Sequence, residues 1–426
     1  MSTSKFQIRR KPAPPVESVF KNVLQPSKLV LEFTISPTDV AYANTLRRVI
    51  LTEVETVAFR ADILEDGSTS DVKVTKNSTP MSNEMLSHRI GLIPIHISNP
   101  LEWNSNEYSF KMNVVNDSGD SRDVTASDIQ VLKNRGAEEE PLPIPSGEFF
   151  HLDPVSQETA LLAVLKGRVV NQEPESLVFE AKATIGVGRE DARFIPVSQC
   201  SYKYTLDTDP TRRKMFFENW LNVHKKLSPA EIDANPSRKK ELENEFATME
   251  VARCFLIDER NEPYSFDFVV ESIGVLDPYY IVARAIQVVQ EKVTRYASLD
   301  TGDLPENVKV RPADARMKGF DFLFSGEDHT LGNLMQTWIE KNLMDTNDIT
   351  FVAYKVPHPL KDEMLLRVGV EDGKELSARL AVSKAARGLA DIFKAWGSSW
   401  ASSGGSAAAP TVRSAIQGRR RVPMSA

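Results

Sequence analysis

Cysteine is almost missing from this chain of 426 residues, with only Cys200 and Cys254 present. Neither a disulfide framework nor a four-cysteine zinc site can be built from two thiols, and both read as small buried residues rather than ligands. Long apolar runs are also missing, since none approaches the ~20 residues needed to span a bilayer. The start of the chain, with Lys5, Arg9, Arg10 and Lys11 among prolines, lacks the apolar centre of a secretory signal. A soluble, intracellular protein with no membrane contact is therefore expected. An excess of positive charge is lacking too, the formal net charge being −7. Proteins that coat nucleic acid by themselves usually carry a basic domain or stripe, so any service to DNA or RNA is expected to run indirectly, through partners.

Catalytic equipment is equally sparse. The histidines His88, His96, His151, His224, His329 and His358 are dispersed, and none falls in a paired metal-ligand spacing. Gly186-Val187-Gly188 lacks the third glycine and the Gly-Lys-Ser/Thr ending of a phosphate loop, and reads as a strand-end turn. Two-metal nucleotidyl transfer needs clustered carboxylates. The nearest candidate, Asp207-Thr208-Asp209, sits in a charged, proline-flanked stretch and reads as a turn or helix cap. No catalytic residue, metal ligand or cofactor is expected in this chain.

What is present is one pattern written twice. Near the start, Leu31, Phe33 and Ile35 alternate along a strand, followed by Ser36, by Asp39 three residues on and by Asn44 five beyond. Near the end, Phe320, Phe322 and Phe324 alternate in the same way, followed by Ser325, Asp328 and Asn333 at the same spacings. An apolar helical face opens at Leu46 in one copy and Leu334 in the other. An echo follows each helix, Val57-Ala58-Phe59-Arg60 and Val352-Ala353-Tyr354-Lys355. Two such units in one chain suggest two similar surfaces packed about a pseudo-two-fold axis.

The remaining punctuation divides the chain. Residues 1–27 read as a flexible basic arm. A first unit takes residues 28–57, 183–206 and 251–297, with Ser36 as helix cap and Pro37 in the first turn. Residues 58–182 read as an inserted β-rich subdomain holding one helix, Pro80 to Ile90, capped by Thr79 and followed by Gly91. Residues 207–250 form a charged helical insertion, 298–315 a linker, 316–396 the second unit, and 397–426 a disordered tail. The closing helix of the second unit runs from about Ser377 to Trp396. Stripes at helical spacing predict the surfaces that meet: Leu46, Val49 and Ile50; Ile281 and Val288; Leu331, Leu334, Met335 and Trp338; Leu389 and Phe393.

Several segments resemble a known family. Ala43 to Leu51 (Ala-Asn-Thr-Leu-Arg-Arg-Val-Ile-Leu) is similar to the first helix of the α-type assembly subunits of multi-subunit, DNA-directed RNA polymerases. His88-Arg89-Ile90-Gly91-Leu92-Ile93-Pro94 resembles the motif of their inserted subdomain, and Val270-Glu271-Ser272-Ile273-Gly274 their return to the dimerisation domain. These match the larger partner of the assembly pair, like the third-largest subunit of RNA polymerase II. Glu327 to Leu334 and Tyr354-Lys355-Val356-Pro357-His358-Pro359 are similar to the smaller partner, the eleventh subunit.

The resemblance implies an α+β fold of two dimerisation modules paired within one chain, the first interrupted by the β-rich subdomain. Such a fusion resembles the arrangement in polymerases of large DNA viruses, which would place it at a cytoplasmic replication site, in the host nucleus or in the virion. It implies a non-catalytic platform for the largest and second-largest subunits, with a small zinc-bearing subunit as a further partner. Asn44, Arg47, Arg48, His88 and Arg89 are the docking residues it implies, the arginine pair anchoring a large subunit. Asp191 stands where relatives commonly have histidine, and no role passes to it. The alternative from another class is a stand-alone nucleic-acid binder using the basic arm, the helical insertion and the arginine tail, which would lose affinity steeply with salt.

Overall fold

The structure is a computed structural model that describes residues 18–62, 70–135, 139–227, 235–314, 317–344 and 349–403. Strands β1 (Phe20–Ser27) and β2 (Val30–Ile35) form an antiparallel hairpin that leads into helix α1 (Val40–Thr52). Alternation along β2 buries Leu31, Phe33 and Ile35 together, as a period of two requires. The arm therefore ends earlier than the sequence suggests, because Phe20 is buried against Phe33, Trp396 and Trp400 and draws its strand into the sheet. Residues 1–17 lie outside the described residues. The cap of α1 is Asp39 rather than Ser36, matching Asp328, the cap of the second copy.

Strand β3 (Glu55–Phe59) leaves this unit for the inserted subdomain. There follow β4 (Val72–Asn77), α2 (Asn83–Gly91), β5 (Tyr108–Asn116), β6 (Arg122–Thr125), β7 (Gln130–Lys133), β8 (Leu142–Ile144), β9 (Leu161–Leu165) and β10 (Glu175–Ala181). One sheet has the order β4-β10-β5-β7-β8, and β6 pairs with β9. Helix α2 starts later than its sequence signals: Asn77 Oδ1 accepts from both the amide and the hydroxyl of Thr79 in a turn, and Ser82 caps the helix. Strand β11 (Ala183–Val187) returns antiparallel to β3. The inner side chains of this ribbon, Val57, Phe59 and Ala183, join the subdomain core with Phe110 and Phe179.

The first unit resumes with β12 (Val197–Tyr204). It is broken again by α3 (Pro210–Trp220) and α4 (Pro236–Glu245), which close a small core of their own around Trp220, Leu242 and Phe246, and closes with β13 (Phe266–Ser272) and α5 (Pro278–Thr294). The second unit contains β14 (Val308–Pro312), β15 (Gly319–Ser325), α6 (His329–Leu343), β16 (Ile349–Lys355), β17 (Glu363–Val370) and α7 (Glu375–Ser402). Part of the expected linker is thus strand β14, with Pro312 on a sheet edge where its missing amide costs no ladder bond. Helix α7 outruns both the expected Trp396 end and the expected tail because Trp400 is buried, its ring 5.1 Å from Phe33. Residues 404–426 lie outside the described residues.

The two antiparallel sheets have matching orders, β1-β2-β13-β12 and β14-β15-β17-β16. Helices α1 and α6 follow equivalent strands, as do α5 and α7. Each of these four packs on two others, α1 on α5 and α6, and α7 on α5 and α6. All of the predicted stripe residues fall in this one continuous core. Leu46, Val49, Ile50, Ile281, Leu331, Leu334, Met335, Leu389 and Phe393 are fully enclosed, while Val288 and Trp338 sit at its margin. At ~1.5–3 kcal/mol per buried large side chain, the seam is the main apolar asset of both units.

Candidate functional site

Helix α1 turns one face to the core and leaves Asn44, Arg47 and Arg48 half-buried beside it. Residues three and four apart share a helix face, so Arg47 Nε donates to Asn44 Oδ1 at 3.0 Å. Both line a cavity of about 610 Å³ with Cys200, Tyr202 and Tyr204 of β12 and Ala252 from the end of the helical insertion. Burial pushes the Cys200 thiol up to about 12 against the opposing charge of Arg47. Burial also raises the Tyr202 hydroxyl, with Tyr204 adding to the effect and Arg47 opposing it. A neutral thiol is a poor nucleophile. The site instead offers a guanidinium and an amide on an aromatic floor, suited to a carboxylate or carbonyl of another protein.

Arg48 points elsewhere. Its Nη2 lies 3.0 Å from Asp328 Oδ2, and its Nε donates to Thr330 Oγ1 at 2.8 Å, both at the start of α6. The reciprocal contact joins Lys341 of α6 to Asp39, the cap of α1, with Glu262 at 3.0 Å. Each repeat thus supplies a capping aspartate to a cation on the opposite helix, as a two-fold arrangement requires. Burial raises Asp328, but the hydrogen bonds from Thr330 and the Arg48 charge outweigh it and hold the carboxyl below its ordinary value. Deeper in the seam, Lys292 of α5 pairs with Glu53, just past α1, and with Glu327 at 3.3 Å, just before α6. Tyr296 donates to Glu327 at 2.9 Å. Burial raises the Glu327 carboxyl, with Lys292 and Tyr296 opposing.

His88 and Arg89 lie on the exposed side of α2, and neither lines the Arg47 cavity. Arg89 Nε donates to the Leu161 carbonyl at 3.1 Å. Met85 and Leu92 beside them are exposed and apolar. Behind this face, Arg193 is buried, donating to the Phe59 carbonyl at 3.0 Å and to Asp191. A Cβ at Gly91 would come within 2.8 Å of that guanidinium and 3.2 Å of the Phe59 carbonyl, which explains the glycine of this motif. Asp191 caps the short turn that follows it, and its hydrogen bond from Arg193 comes first among the contacts that hold its carboxyl low.

Gly186 lies inside β11 against the Phe194 ring, and a Cβ at Gly188 would strike the Leu51 carbonyl at 2.3 Å. Asp207 is buried with Arg212 at 3.0 Å, and Asp209 caps α3. Among the described residues, no group of three or more His, Cys, Asp or Glu is gathered that could hold a metal ion. No described helix is long and apolar enough to cross a membrane. The histidines hold one surprise: His96 and His151 stack with ring centroids 3.7 Å apart. They line a cavity of about 730 Å³ between the inserted subdomain and the start of α5. Burial lowers both imidazoles, and nearby Lys28 adds to the effect. No spacing in the sequence signals this pair, since the two rings come from separate loops joined only by tertiary contacts.

Comparison with known proteins gives two matches to one family description, the RNA polymerase Rpb3/Rpb11 dimerisation domain, over residues 32–293 and 320–398. The chain is 26% identical over 284 residues to the DNA-directed RNA polymerase II subunit RPB3 of Schizosaccharomyces pombe, covering 63% of this chain and 82% of that protein. It is 25% identical over 298 residues to the DNA-directed RNA polymerases I and III subunit RPAC1 of Homo sapiens, covering 62% and 80%. It is 22% identical over 294 residues to the conjugation stage-specific protein of Tetrahymena thermophila, covering 62% and 88%.

Proposed function

The chain belongs to the RNA polymerase Rpb3/Rpb11 dimerisation domain family, and from that premise we propose that it is a non-catalytic assembly subunit of a DNA-directed RNA polymerase, joining in one polypeptide the pair on which the two large subunits dock. The observation that carries this reading is the single helical core shared by two sheets of matching strand order. Such pairing needs no second chain and frees the outer faces for larger proteins.

The second-largest subunit docks on the Asn44 and Arg47 cavity, His88 and Arg89 add a second contact through α2, and the second module faces the largest subunit. A small zinc-bearing subunit completes the set, and the chain itself carries neither cofactor nor metal. DNA and RNA are reached only through the complex, and the fusion of the two partners fits a viral transcription system. Two arginines of one motif take different tasks in this reading, Arg47 binding outward and Arg48 closing the seam. Co-purification tests it: Arg47→Ala combined with Asn44→Ala should lose the second-largest subunit while the unfolding midpoint stays near wild type. Undiminished recovery of that subunit would refute the assignment.

A further inference from the structure

The cavity of about 730 Å³ lies where the inserted subdomain meets the first module. Among the described residues its lining holds the carboxylates of Glu102, Glu107, Glu148 and Asp277 and one cation, Lys28. Two of these carboxylates are engaged. Asp277 caps α5, and Glu107 pairs with Lys133 at 2.8 Å. Glu102 and Glu148 are exposed, and neither has an ion pair or a side-chain hydrogen bond among the described residues. Burial, with Lys28 adding to it, holds His96 and His151 low, so the stacked rings contribute no positive charge at neutral pH. The lining is acidic.

The cleft already holds one cation on its aromatic pair. Trp103 and Tyr108 stack at 4.8 Å, and Lys133 sits over the Tyr108 ring at 5.4 Å while its ammonium bonds Glu107. Trp103 and Glu102 repeat the ring and the carboxylate without the lysine. The indole is fixed by its Nε1 bond to the Ala183 carbonyl at 2.9 Å and is half-buried, with no cation over its ring among the described residues. Asn99, in the same lining, has a side-chain oxygen with no hydrogen-bond partner among the described residues. The free groups are acceptors.

We propose that a lysine of another polymerase subunit docks in this cleft, its ammonium on the carboxylates of Glu102 and Glu148 and its aliphatic stem along the Trp103 ring. The inference rests on the reading of the chain as a polymerase subunit and adds a contact apart from the Arg47 cavity. An ammonium has three donors and no acceptor, and indole is the best aromatic partner for a cation. A lysine stem covers apolar surface while its head stays in water, which suits an aromatic wall with exposed carboxylates beside it. The lining comes from both the inserted subdomain and the turn before α5, so a side chain held there also ties the two together. Salt screens exposed charges, and the contact weakens as salt rises.

The test uses the assembled polymerase, purified through a tag on this chain. Carbodiimide should join Glu102 or Glu148 to a lysine of another subunit, identified by mass spectrometry of the linked peptides, and raised salt should suppress the link. In Glu102→Gln/Glu148→Gln the link should be lost, and the subunit that carried it should leave the complex at lower salt than in wild type, with the unfolding midpoint of the chain unchanged. Links from Glu102 and Glu148 only to lysines of this same chain would overturn the proposal. So would a subunit retained equally well by the double variant. Recovery of both large subunits without the link would refute this contact alone, whereas recovery of the chain without either would refute the polymerase reading and the contact with it.

Discussion

In the second module the strand that follows α6 turns back into its own sheet beside β17, whereas in the first the strand that follows α1 walks out and pairs with β11. The place of β16 is taken in the first module by β12, which arrives only after the whole inserted subdomain. What the two halves share is the frame of two central strands and two helices. An edge position can be filled from elsewhere in the chain because an edge strand bonds to one neighbour only. The insertion thus enters and leaves through a ribbon whose inner face belongs to the subdomain core, and the seam is untouched by it.

The largest blow to this equivalence should come from Phe393→Ala. That ring is fully buried in α7, packing on Tyr42 of the first module and on Trp396. A loss of about 3–5 kcal/mol is expected, with both modules melting in one transition because they share a core. Two separated transitions in calorimetry would break the comparison.

Next comes Lys292→Met, which leaves Glu53 and Glu327 in the seam without their cation. Removing one member of a buried pair costs about 3–5 kcal/mol. Glu327 already has a raised carboxyl, so its folded form takes up a proton more readily than its unfolded form, and stability falls as pH rises through that interval. The variant's deficit against wild type should therefore shrink in urea titrations at pH 5 relative to pH 8. An equal deficit at both would remove Glu327 from the account.

Gly388→Ala sharpens the comparison at one contact. Alanine in a helix interior normally stabilises, but a Cβ here would lie 2.2 Å from the Trp338 ring of α6. Overpacking should cost about 1–3 kcal/mol, read as a lowered unfolding midpoint. A raised midpoint would mean that α6 and α7 are free to slide apart.

The smallest effect belongs to the reciprocal caps. Arg48→Ala breaks a partly exposed ion pair worth about 1 kcal/mol or less. Asp328→Asn should show itself mainly in acid. The low carboxyl of Asp328 contributes stability above its unfolded value that is lost as pH falls through the folded one. The asparagine variant should lack that part of the acid-induced loss, and an unchanged acid limb would count against the cap.

The parts of the fold that were readable in the sequence are those with short-range periodicity. The two alternating strands, the stripes from Leu46 to Phe393 and the capping role of Asp209 all follow from spacing. The echo at Val57 and Val352 was misleading, because similar strands can pair with different neighbours and pairing is a long-range choice. Ser36 and Thr79 carry good capping chemistry, yet Asp39 and Ser82 stand at the helix starts. Of the docking residues, Arg47 keeps an outward face. Arg48 could be assigned to the seam only once Asp328 was placed beside it. Lys292 had a signal that could have been used, since it stands four residues after Val288, on the helix face otherwise read as apolar.

Ser18, at the head of β1, lies within 2.6 Å of Ser399 near the close of α7, hydroxyl to hydroxyl. The strand that begins the described fold and the helix that ends it are therefore neighbours, so a short peptide could splice one to the other. Opening the exposed turn at Gly302 and Asp303 instead would yield a circular permutant in which the two halves trade places along the gene, with the four-helix seam retained.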